Sequence, residues 1–188
     1  MAFWTTLDKF HQNRTIKPKY ARTQATPQAV TLADGYVGTY DIFPGSVLTR
    51  AGGTEIGIVN LCDAEKTPAG LAGTWVANTY GINELELTGS HNMAMWVLNK
   101  DAIFEIQNPS HGVATLNTVG PIDGTANWAT AKTNVDAGTD VYLCSNAQGK
   151  LTVQTAGEGE TLPNNLTVCK LISVEATAPV TVITVAGL

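Results

Sequence analysis

The chain has 188 residues, 44% of them hydrophobic and only 14% charged, with eleven Lys and Arg against sixteen Asp and Glu for a net charge of −5. A charged share well under the usual ~25% excludes a solvated helical bundle or coiled coil, and the length allows one good core with a short appendage. The longest uninterrupted apolar run, Met93–Leu98, falls far short of the ~18 residues of a membrane helix, and the opening MAFWTTLDKFHQNR lacks the basic-then-apolar pattern of a secretory signal.

Charge is divided unevenly. Residues 1–30 hold Lys9, Arg14, Lys17, Lys19 and Arg22 against Asp8, a net +4, while residues 31–188 hold six basic and fifteen acidic groups, a net −9. A basic arm on an acidic body can reach an acidic partner, a nucleic acid or a sister subunit. In the first eleven residues Phe3, Leu7 and Phe10 fall at helical spacing beside Trp4, the pattern of a short amphipathic anchor. From residue 12 to 34, Pro18 and Pro27 remove backbone donors and bias their neighbours toward extended geometry, so this stretch is predicted to be extended and without a core of its own. Only Tyr20 is interleaved with the arm's cations, which argues against nucleic-acid binding. The domain reading is an arm over residues 1–35 and a body over residues 36–188.

Within the body, short alternating runs rich in Val, Ile and Thr are broken by turn residues every 8–12 positions. The candidate strands are Tyr36–Ile42, Glu55–Leu61, Gly73–Ala77, Glu84–Leu87, Met93–Leu98, Ala102–Gln107, Val113–Val119, Asp140–Cys144, Lys150–Thr155, Thr167–Glu175 and Val180–Val185. The clearest hairpin is VYLCSNAQGKLTVQ, turning at Asn146–Gly149, and Asn99-Lys100-Asp101 joins two strands in the same way. The one body stretch with helical promise is Asn60–Leu71, cut short by Pro68 and Gly70. The predicted fold class is all-β: a β-barrel or β-sandwich of short antiparallel strands with an extended N-terminal arm. Cys144 and Cys169 lie in strand-like runs and, with Cys62, read as buried thiols, because no CxxC pair exists.

The chemistry-bearing residues do not form a recognisable set. His11, His91 and His111 read as loop residues, since zinc ligands usually come in closely spaced pairs. Glu84 and Glu86 share a strand face and alternate with Leu85 and Leu87, so they read as the wet face rather than a glycosidase pair. Glu158 and Glu160 sit in a Gly-rich loop and read as solvated; Asp123-Gly124 marks a turn rather than a calcium loop. Motifs for hydrolases, metalloproteases and nucleotide binding are missing. No catalytic residue, metal site or cofactor is expected. Trp96 reads as core, whereas Trp75 and Trp128, among Gly, Ala, Thr and Asn, read as surface anchors of an interface or, in an alternative reading, as the stacking platform of a carbohydrate-binding β-sandwich.

The segments AGTDVYLCSNAQGKLTVQTAGEGE (Ala137 to Glu160) and DIFPGSVLTRAGGTEIGIVN (Asp41 to Asn60) resemble strand-and-turn patterns of the small β-barrel cement, or decoration, proteins of tailed-bacteriophage capsids. About half of the chain carries the resemblance, and residues 61–121 depart from it, which is compatible with an inserted subdomain there. The resemblance implies a non-enzymatic virion protein on the outer surface of an assembled capsid, binding the major capsid protein and forming a homotrimer, with no direct nucleic acid and no membrane. On that expectation the arm contacts are Phe3, Trp4, Lys9, Arg14, Lys17, Lys19 and Arg22, and Trp75 and Trp128 are interface residues. Another phage structural component, such as a tail, fibre or shell β-domain, is the alternative within the same class.

Overall fold

The computed structural model describes residues 16–19, 26–32, 42–51, 57–73, 91–108, 120–175 and 182–188. Its strands are β1 (Ile16–Lys19), β2 (Thr26–Leu32), β3 (Val47–Arg50), β4 (Ile58–Leu61), β5 (Pro68–Ala72), β6 (His91–Val97), β7 (Ile103–Gln107), β8 (Val141–Ser145), β9 (Leu151–Val153), β10 (Thr167–Val174) and β11 (Val182–Ala186), with one helix, α1 (Trp128–Asp136), among the described residues. The fold is all-β and joins a closed barrel, in the order β2-β4-β3-β5-β6, to a six-stranded sheet, in the order β1-β7-β11-β10-β8-β9.

The barrel is filled by Val30, Ile42, Leu48, Val59, Ala72 and Met95. These are mostly small or β-branched side chains, which suits the narrow bore of a five-stranded barrel. Gly70 is required where β5 presses on β6: a Cβ there would lie 2.5 Å from the Trp96 carbonyl oxygen. The strands pair antiparallel except for β2 and β4, which run parallel through Thr31–Ile58 and Leu32–Val59 and close the barrel. That pair corrects the expectation of antiparallel strands throughout.

All pairings between the named strands of the six-stranded sheet are antiparallel. Its inner face holds the larger core, where Phe104, Ile106, Leu143, Leu171, Ile183 and Val185 meet Val47 and Leu71 from the barrel and Trp128 and Ala131 from α1. Regular alternation explains β8, where Val141, Leu143 and Ser145 are buried. In β10 the register shifts twice, between Thr167 and Cys169 and between Leu171 and Ser173. The first bulge keeps Val168 and Cys169 both buried; the second leaves Ile172 and Ser173 both exposed and returns Val174 to the core.

Two seams fasten barrel to sheet. The β8–β9 turn docks on β3 and β4, with the Val47 amide donating to the Gly149 carbonyl (2.8 Å) and Ser145 Oγ donating to the Cys62 carbonyl (2.8 Å). Gly149 has φ +70° and a Cβ there would collide with Leu61, so two constraints select glycine. The N-terminal segment supplies the second seam. β2 pairs with β6 from Thr26–Val97 to Leu32–His91, and β1 pairs with β7 from Ile16–Ile106 to Lys19–Ile103. Residues 16–19 and 26–32, both inside the stretch read as an extended arm, are therefore extended as strands hydrogen-bonded into the body.

Helix α1 is a correction, since no helix was expected there. Asn127 Oδ1 accepts from the Thr130 amide (3.2 Å) at its start. It ends where the Thr139 amide reaches the Asn134 carbonyl (2.8 Å) and the Gly138 amide reaches Val135 (2.9 Å), with Gly138 at φ +79°. The Asn60–Leu71 stretch, whose helical promise is cut short by Pro68 and Gly70, is the end of β4, a turn and β5. Asp63 closes the turn by accepting from the Glu65 amide (3.0 Å) and pairing with Lys66 (2.9 Å). Four residues cannot repay helix nucleation, and Pro68 begins a strand, where its missing N–H is tolerated. The candidate strands Tyr36–Ile42, Gly73–Ala77, Glu84–Leu87 and Val113–Val119 lie outside the described residues, apart from Ile42 and Gly73.

Candidate docking surface

A sheet can meet a partner by an edge or by a face. At the β9 edge the Leu151 amide donates to Pro121 (2.7 Å), the Asp123 amide donates to Leu151 (2.9 Å), and Ile122 bridges to Leu151. The buried Asn108 side chain holds that covering segment, donating from Nδ2 to the Ile122 carbonyl (3.0 Å) and accepting its amide at Oδ1 (2.9 Å). The opposite edge is β1, Ile16-Lys17-Pro18-Lys19. Pro18 lacks an N–H and stands between two lysines, the combination that discourages further strand addition.

The outer face carries Ile103 and Glu105 of β7, Thr184 of β11, Lys170, Ile172 and Ser173 of β10 and Tyr142 of β8, the positions that alternate with the buried ones. By register, Lys17 stands opposite Glu105 and Lys19 opposite Ile103. Lys170 pairs with Asp140 at 2.6 Å, and Tyr142 Oη donates to the same carboxylate (3.3 Å). The Lys170 hydrogen bond holds the Asp140 carboxyl below the usual carboxylate range and raises the Lys170 ammonium in turn. Both groups are substantially exposed, so the pair adds little to stability.

Of the residues singled out from the sequence, Phe3, Trp4, Lys9, Arg14, Arg22 and Trp75 lie outside the described residues, as do His11, His111, Glu84 and Glu86. Lys17 and Lys19 are placed in β1; His91 opens β6. Trp128 is corrected: it is 1% exposed, its ring is in the core, and its Nε1–H donates to the Asp123 carbonyl (2.6 Å). It offers no surface for a partner or a sugar. Trp96, read as core, is half-buried and packs edge-on against the core residue Phe104, with centroids 5.9 Å apart.

The remaining polar groups serve the scaffold. Burial pushes the Cys62 thiol up to about 11 and raises Cys144 and Cys169 as well, so these free cysteines are poor nucleophiles. Burial alone would raise the Asp123 carboxyl, but donors from Thr125, Asn146 and Thr152 outweigh it and leave it below the usual value. Glu160 is exposed yet organised: Oε2 accepts from the Gly157 amide (3.3 Å) and Asn164 Nδ2 (3.2 Å), which ties the loop after β9. Among the described residues no group of three or more His, Cys, Asp or Glu is placed to hold a metal ion.

The described residues thus form an all-β protein in which a closed barrel is joined to a six-stranded sheet whose inner face is filled by the core. The chain belongs to the phage cement protein family, whose model matches residues 2–186. It is a capsid-associated structural protein of a phage. Searches of curated proteins and of solved structures returned no match.

Proposed function

We propose that this protein decorates the outer surface of an assembled phage capsid, binds the major capsid protein as a homotrimer and braces the shell without catalysing a reaction. The observation that carries the reading is the family match over residues 2–186. Two features favour it physically. Guarded edges suit a protein that must stay dispersed until a shell is available. A surface with few charges suits many modest contacts repeated by symmetry, where linked binding sites supply strength that each contact lacks. Phe3, Trp4, Lys9, Arg14, Lys17, Lys19, Arg22 and Trp75 remain the proposed contacts of the arm and body.

The test uses particles assembled without this protein. Adding it back should raise the temperature at which they release DNA, and electron microscopy should show new density outside the shell in threefold sets. Density inside the shell or on the tail, or an unchanged release temperature, would refute the proposal.

A further inference from the structure

We draw no further inference here: the strongest candidate, the half-open cleft between the β5–β6 side of the barrel and β10 of the sheet, lined by Gly70, Val97, Leu98, Val168 and the exposed Leu188, carries none because nothing in the structure shows what covers it.

Discussion

Replacing Trp128 with alanine separates a core role from a docking role. The indole is 1% exposed and packs among Leu143, Leu171 and Ala131 at the start of α1. Truncating such a ring costs about 3–5 kcal/mol, and leaving the Asp123 carbonyl without its 2.6 Å donor adds about 1–3 kcal/mol. The sum is a large share of a typical stability of about 5–15 kcal/mol. At about 2–4 °C per kcal/mol for a chain of this size, the midpoint should fall by roughly 10–30 °C. Trp128→Phe, which keeps a ring and loses the donor, should lose about 1–3 kcal/mol. Urea titration followed by circular dichroism measures both, with shell co-sedimentation run below the transition. A Trp128→Ala protein as stable as wild type that no longer binds shells would refute the reasoning, because the ring would then be a contact and not core.

Gly149→Val should destabilise by about 2 kcal/mol or more, from a side chain at positive φ and collision with Leu61; a midpoint within 1–2 °C of wild type would contradict the docked turn. Removing residues 1–15 spares every described strand, whereas removing residues 1–32 takes away β1 and β2 and opens the barrel. Limited proteolysis should find the first protein resistant and the second degraded. The depressed Asp123 carboxyl contributes stability that is present above the unfolded pKa of about 3.9 and is lost as pH falls through the lower folded value. Asp123→Asn should therefore lower stability at pH 7 and converge on wild type in strong acid; an equal deficit at both ends, measured by urea titration, would assign the loss to packing.

Local signals carried what was legible in the sequence. The β8–β9 hairpin could be read because Gly149 marks a turn between two alternating runs, and β6, β7, β10 and β11 stand close to where their apolar runs fall. Pro18 and Pro27 revealed extended backbone but not its partners, since pairing Lys19 with Ile103 is a contact between distant parts of the chain. The bulges of β10 were hidden for the same reason: they are set by β8 and β11 on either side. Helix α1 was missed because Thr, Asn, Val and Asp are weak helix formers. Its signals were present: Asn127 as the N-cap, Gly138 at positive φ just past the C-cap Ala137, and Trp128, Ala131 and Val135 spaced along one face. The small polar neighbours of Trp128 resembled a loop, and so its ring was assigned to the surface. Ile172 lay in a run read as strand, but only the second bulge reveals that Ser173 joins it outside.

The charge split takes on a different meaning once β1 and β2 are in place. Residues 1–15 carry Lys9 and Arg14 against Asp8, a net +1, whereas residues 16–32 carry Lys17, Lys19 and Arg22 without an acidic residue, a net +3. Most of the arm's cationic excess therefore belongs to the stretch that contains the two paired strands, and Lys17 stands opposite Glu105 within the sheet. A free leader would carry its charge to a partner on a flexible chain. Here β1 is paired with β7, so the backbone that carries Lys17 and Lys19 is held at one edge of the six-stranded sheet instead of on a free leader. Screening at 0.15 M salt limits such a field to about 8 Å, which keeps it local to that edge. Salt sensitivity of shell binding should accordingly survive removal of residues 1–15 and diminish when Lys17 and Lys19 are both replaced by glutamine.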